Sequence, residues 1–322
     1  MKQTTILTLL LACAVSYAAD SGDSIYTDPA ETPIDYRIQG EYVGTAGEDG
    51  ETYGAQVIAL GKNRFHLVGY QGGLPGAERS HKVIKVEMDG ELDGDVATFK
   101  NEEFEISISD GKLAVKTLDD GVTQGTLNRI IRKSSTLGAK PPEGALVLFD
   151  GSTAEHFDGG KLEGKLLAAN CSSKEKFGDH TLHLEFRTPF KPTARGQARG
   201  NSGVYVQSRY EIQVLDSFAL AGKNNECGGI YSIAEPKVNM CFPPLQWQTY
   251  DIDFIAARYD ESGNKTKAAR VTVRHNGVVI HDDIELPHGT PGRHKEAPEA
   301  DALYLQGHGN PVFYRNIWVV KK

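Results

Sequence analysis

No run of apolar residues in this 322-residue chain is long enough to cross a bilayer, and no block of basic residues stands out. Hardly any stretch repeats with the period of an amphipathic helix. The first absence excludes a spanning helix. The second, with 35 Lys+Arg against 43 Asp+Glu, a formal net charge of -8 and no interleaving of aromatic with basic residues, excludes nucleic acid as a partner. The third leaves an all-β chain, and 35 glycines with recurrent Asp-Gly and Asn-Gly pairs supply its tight turns. Cysteine is scarce, 4 in all, and no spacing among them suggests zinc.

Met1 to Ala18 has the form of a secretory leader: Lys2, an apolar core from Ile6 to Val15, and a small-x-small site at Ser16-Tyr17-Ala18. The expectation is an exported protein, periplasmic or secreted. Lipoprotein processing at Cys13 is the rival, since Leu10-Leu11-Ala12-Cys13 partly resembles a lipobox. Beyond the leader remain Cys171, Cys227 and Cys241. In an oxidising compartment, a Cys227–Cys241 disulfide would close a Gly- and Pro-bearing loop and leave Cys171 as a buried thiol; the other pairings stay open.

Two domains are expected. Short β-like runs fill residues 33–133, from Tyr53 to Leu60 through Thr126 to Arg132, with Asp89-Gly90, Asp93-Gly94 and Asp110-Gly111 as turns, the pattern of a small antiparallel barrel or sandwich. No catalytic constellation is visible in it. Residues 134–143, with Pro141-Pro142, read as an extended linker. Residues 144–322 follow with about ten further strands, implying two packed antiparallel sheets. His275-Asn276-Gly277-Val278 is a type I′ hairpin signal.

The stretch GNSGVYVQSRYEIQVLD, residues 200–216, alternates strictly. Tyr205, Gln207, Glu211 and Gln213 point one way, Val204, Val206, Ile212 and Val214 the other, with a turn expected at Ser208-Arg209. Residues 177–188 place His183, Glu185 and Arg187 on one face in the same way. If all these polar faces share one concave sheet, Glu185, Arg187, Gln207, Glu211, Gln213, Asp251, Asp253, Gln306 and His308 line one groove, and Tyr205 and Trp247 offer flat faces to sugar rings. Glu185 and Glu211 form the first acid/base pair to test, because a buried carboxylate pair can split its pKa values. His308, in a turn between strands, is a second base or a metal ligand. Asp216 could hold a proton or a cation, and Asp251 with Asp253 could bind calcium, so a divalent metal is possible, while no cofactor is certain. Arg195 and Arg199 lie in a glycine-bearing loop that could rim the site.

FGDHTLHLEFRT, GNSGVYVQSRYEIQVLDSF, NNECGGIYSIAEPKVNMC, WQTYDIDF, HNGVVIHDDIEL and LQGHGNPVFYRNIWV, in this order from about residue 144 to 321, resemble the 3-keto-disaccharide hydrolase domain family. The resemblance implies a concanavalin-like jelly-roll sandwich. It also implies a substrate oxidised at carbon 3, a disaccharide or glycoside. The ketone acidifies the carbon 2 proton, so a base can drive elimination of the glycosidic oxygen from carbon 1, followed by addition of water. Glu211 or His308 would be the base, Glu185 the acid, and Arg187, Gln213 or a metal the enolate stabiliser. Direct hydrolysis by two carboxylates is the competing route. A lectin-like module that binds sugar without cleaving it, or an exported interaction protein, would share the same fold.

Overall fold

The computed structural model describes residues 24–47, 50–77 and 85–322. The leader, with Cys13, lies outside the described residues. The first unit is a closed eight-stranded antiparallel barrel. Its strands are β1 Gly40–Ala46, β2 Glu51–Gly61, β3 Arg64–Gln71, β4 Lys85–Asp93, β5 Val96–Lys100, β6 Phe104–Ser109, β7 Lys112–Thr117 and β8 Thr123–Ile130. Closure depends on a close approach of β1 to β8, where a Cβ on Gly44 would lie 2.2 Å from the Thr126 carbonyl oxygen. Phe65, Leu67, Met88, Phe99 and Leu113 point into the interior. One end is sealed by the short helix α1, Ile34–Ile38, together with Phe190 and Leu245 of the second unit.

The second unit has 2 main sheets packed face to face. The smaller runs β10-β13-β22-β15-β16, made of Phe157–Asp158, Cys171–Phe177, Asp301–Leu305, Ser202–Val206 and Tyr210–Val214. The larger runs β11-β12-β23-β14-β17-β20-β21, made of Leu162–Glu163, Leu166–Ala168, Phe313–Lys321, His180–Arg187, Gln248–Ile255, Ala269–His275 and Val278–Leu286. Strand β9, Leu146–Phe149, joins it through β23, and β18 with β19, Arg258–Tyr259 and Lys265–Lys267, makes a separate ribbon. The apolar halves of the alternating strands meet between the sheets: Leu182, Leu184 and Phe186 from β14, Ile252 and Phe254 from β17, Val204 and Val206 from β15, Ile212 and Val214 from β16. Truncating Leu184 or Phe254 to alanine would cost about 3–5 kcal/mol, since both are fully buried there.

The Asn276-Gly277 turn forms as expected, with both residues at positive φ and His275 paired to Val278. The turn between β15 and β16 is one residue longer than expected. Val206 pairs with Tyr210, so Gln207, Ser208 and Arg209 form the loop, the first two at φ 52. Residues from Ser24 onward are not a loose tail: Tyr26 exchanges backbone hydrogen bonds with Phe190 at 3.0 and 2.9 Å. Cys227 and Cys241 do not form the expected disulfide; both are free, buried thiols, with Cys227 against the Tyr250 hydroxyl at 3.3 Å.

Candidate active site

The two sheets turn their polar faces away from each other, so the residues expected in one groove divide between two opposite surfaces. On the smaller sheet, Tyr205 stands directly across from Glu211, and Gly203 across from Gln213. These residues floor a cleft of about 350 Å³, with Gln306 and His308 beside them and Asn201, Gln197 and Tyr231 on its walls. One further wall is the segment around Pro291 and Gly292. Arg209 fixes that segment from the hairpin turn, donating to the carbonyls of Lys295, Ala297 and Glu299. Thr290 Oγ1 accepts from the Glu211 backbone N–H at 2.9 Å. At Gly292, φ is +114 and a Cβ would stand 2.8 Å from the Tyr205 hydroxyl, so glycine is required for this wall to close on the tyrosine.

Glu211 is the chemical centre of the cleft. Its side chain is 3% exposed, and Tyr205 Oη donates to Oε2 at 2.9 Å. Gly203 leaves room for the carboxyl, since a Cβ there would sit 2.3 Å from Oε1. In one orientation of its amide, Gln213 donates to Oε1 at 2.9 Å. Burial removes water from the charged form and pushes the Glu211 carboxyl up to about 7, against the smaller lowering by the Tyr205 hydrogen bond. Burial first, and then the neighbouring Glu211, drive the Tyr205 phenol well above its ordinary value, so it stays a donor. Gln306 Nε2 reaches the same phenol oxygen at 3.3 Å. Gln306 Oε1 and Asn201 Oδ1 are buried acceptors with no protein partner. Both sit in the cleft wall, where a ligand hydroxyl would satisfy them.

On the larger sheet the outer face is covered around Glu185 and Asp251. Residues 134–139 lie across it as a strap: Ser134 Oγ meets Thr249 Oγ1 at 2.6 Å, Thr136 Oγ1 donates to Asp251 at 2.7 Å, and the Gly138 N–H donates to Glu185 at 2.6 Å. Asn316 and Trp318 both donate to the Ala139 carbonyl. Glu185, 1% exposed, also accepts from Arg315 Nε at 2.6 Å and from Asn316 at 3.0 Å. Burial would raise its carboxyl, but His183, Asn316, the Gly138 N–H and Arg315 outweigh it and bring it down to about 2. Glu185 is therefore a fixed anion, not the acid partner of Glu211. His183, buried against Asp251 at 2.6 Å and stacked on Trp318, is desolvated, yet its two carboxylate neighbours raise it overall.

Other expected members of the groove have structural partners elsewhere. Trp247 does not offer a free face, because Arg187 and Arg315 stand over its ring at 5.1 and 4.0 Å. Arg187 also donates to the Thr27 carbonyl. Asp253 pairs with Thr181 and Lys322. Gln207 is turned to the Phe177 carbonyl at the far end of the hairpin. Asp216 is buried in an ion pair with Arg199 at 2.7 Å, and Arg199 reaches the Ala59 carbonyl of the barrel, so the pair ties the two units together. Arg195 likewise donates to Leu60. Among the described residues no three His, Cys, Asp or Glu side chains converge as metal ligands.

The cleft lies on the part of the chain that known proteins share. A sequence profile described as the 3-keto-alpha-glucoside-1,2-lyase-like domain matches residues 144–320, more than half of the chain. The chain belongs to this family. It is a carbohydrate-active protein on that ground, and the family region carries Glu211, Tyr205, Gln306 and His308. Among solved structures, "a putative glycosyl hydrolase from Parabacteroides distasonis ATCC 8503" at 2.13 Å is similar, with 30% identity and a TM-score of 0.52 over 56% of this chain and 85% of that one. A second from the same organism at 1.70 Å has 15% identity and a TM-score of 0.41, covering 56% of this chain and 94% of its own. No curated protein matches the sequence.

Asn201, Gln197, Tyr231 and Gly292 line the cleft without a sequence pattern that marks them for it. Asn201 sits within the alternating stretch and is readable only as its neighbour. Tyr231 and Gly292 arrive from distant loops, for which strand alternation gives no signal.

Proposed function

We propose that the cleft cleaves the glycosidic bond of 3-keto-glycosides by elimination and hydration. The observation that carries this reading is a buried carboxyl poised near 7 in an open polar cleft: near neutral pH it is part ionised, as a general base requires. The Glu211 carboxylate takes the carbon 2 proton, and the electron pair passes toward the carbon 3 ketone. Expulsion of the carbon 1 oxygen then forms the carbon 1–carbon 2 double bond and restores the ketone. His308, exposed at the mouth, hands a proton to the departing oxygen. As Glu211 becomes protonated, Tyr205 turns its one hydroxyl hydrogen from the Glu211 carboxyl to the enolate oxygen, and Gln306 and Asn201 accept from sugar hydroxyls. Water then adds at carbon 1 and gives a proton to His308, while the protonated Glu211, after exchange with solvent, returns a hydrogen to carbon 2. A pure binding module has no need of a carboxyl held near 7 at the base of its cleft, which favours catalysis over the lectin-like reading. The proposal includes export, supported by the leader-like Met1 to Ala18; N-terminal sequencing of the mature protein should then begin at Ala19.

Turnover of a 3-keto-α-glucoside in D2O, followed by NMR from the first seconds, tests the mechanism. Deuterium at carbon 2 of the first product, faster than exchange into free product, is expected, with the unoxidised parent left intact. Cleavage of the parent, or product without deuterium at carbon 2, would replace elimination by direct hydrolysis.

A further inference from the structure

We propose that the open end of the N-terminal barrel is a binding site for a neutral, largely apolar small molecule. The end opposite α1 contains a cavity of about 330 Å³, within the range of small-molecule pockets. Eight strands are enough to enclose one such ligand. The walls are Leu67, Met88, Phe104, Ile106, Leu113 and Val115, almost wholly apolar. Val86, at the same mouth, is 41% exposed.

Gly69 argues that this space is kept open. It lies on the inward face of β3 between Leu67 and Gln71. Strand glycines elsewhere in the barrel are required by close approach: a Cβ on Gly54, Gly90 or Gly125 would fall 2.8, 2.4 or 2.5 Å from a neighbour. A Cβ on Gly69 meets nothing nearer than 3.6 Å, and its φ is not positive. Neither backbone nor packing calls for glycine here, so the missing side chain serves to leave volume in the cavity. A strand glycine marks a bulge, a barrel bend, or close approach by a backbone or a ligand; at Gly69 the pairing with both neighbouring strands is unshifted and no backbone atom lies nearer than 3.6 Å to such a Cβ, which leaves the ligand.

Among the described lining residues, the polar groups at the mouth set the charge of the occupant. Gln71 and Gln124 supply uncharged amides at the mouth, and Gln71 donates to the Glu51 carboxylate. An anionic headgroup would be repelled there, whereas a hydroxyl or ester is accommodated.

Titration of the full-length protein with the neutral fluorophore N-phenyl-1-naphthylamine tests the site. Saturable binding of one probe per chain is expected, unchanged in Glu211→Gln, which alters the cleft and not the barrel. Gly69→Leu, filling the cavity, should weaken it at least about tenfold, and Gly69→Ala by a smaller factor. Decanol should displace the probe at least about tenfold more effectively than decanoate. Absence of saturable binding, or wild-type affinity in Gly69→Leu with native circular dichroism, would overturn the site. Should Gly69→Leu misfold, wild-type affinity in Gly69→Ala would overturn it as well. Equal displacement by decanoate would overturn the assignment to a neutral ligand.

Discussion

Glu185 stands on a central strand of one sheet and Glu211 on the end strand of the other, both facing outward and nearly sealed from water, and they are driven in opposite directions: about 2 for one, about 7 for the other. Burial is common to both. What differs is the supply of donors. Glu185 accepts from a guanidinium, an amide side chain and the backbone of the strap, all of which favour its charged form. Glu211 has a phenol and an amide beside it and no cation, in a cleft left open, whereas Glu185 lies under the strap. A carboxylate fully served by donors holds a structure together; one short of donors retains proton affinity that a substrate can use.

The largest effect that would sharpen this comparison is catalytic. Glu211→Gln should lower kcat/KM on a 3-keto-α-glucoside by about 10²–10⁴-fold. Chemical denaturation should show no loss of stability at pH 8. Glu185→Ala should do the reverse. It leaves Arg315 without its anion and His183 with Asp251 alone, so unfolding free energy should fall by about 3–5 kcal/mol while turnover per folded molecule stays within a few-fold. Comparable activity losses in both variants would erase the distinction between the faces.

Proton linkage gives the next effect. The folded-state pKa of Glu211 is raised, so between 4.5 and about 7 the unfolded chain releases this proton before the folded one does. Stability should therefore fall across that window by on the order of 3 kcal/mol and level off above it. Glu185, depressed in the folded state, contributes stability that is present above 4.5 and lost as pH falls toward 2. His183, raised, contributes below its unfolded value of 6.5 and is lost as pH rises through its folded value. Urea denaturation of Glu211→Gln against wild type from pH 4.5 to 8 isolates the first contribution, which the variant should lack. The smallest effect concerns the strap: Thr136→Val removes one hydroxyl from Asp251 and Thr249, and should cost about 1 kcal/mol by thermal denaturation without changing turnover.

Much of the fold was legible because alternation and turn residues are local signals. Asp110-Gly111 and Asn276-Gly277 fall where strands reverse, and Val204, Val206, Ile212 and Val214 face the core as their spacing requires. Alternation states which side of a strand is buried; it does not state which sheet the strand joins. That is why Glu185, on β14, and Glu211, on β16, looked like partners although they lie on opposite surfaces. Burial of polar residues was equally hidden. Arg199 and Asp216 looked like site residues because each is polar in a loop-bearing region, and the barrel surface they meet is distant in sequence. Within the cleft, the alternating stretch exposed Tyr205, Glu211 and Gln213 directly, whereas the wall at Gly292 depends on Arg209 reaching 86 to 90 residues along the chain.

The most direct test of the central claim is the pH dependence of kcat/KM on a 3-keto-α-glucoside, since this ratio reports the free enzyme's essential base. The account predicts an ascending limb with a midpoint of about 7, absent from the residual activity of Glu211→Gln. A midpoint in the ordinary glutamate range, or an ascending limb that survives in Glu211→Gln, would contradict it.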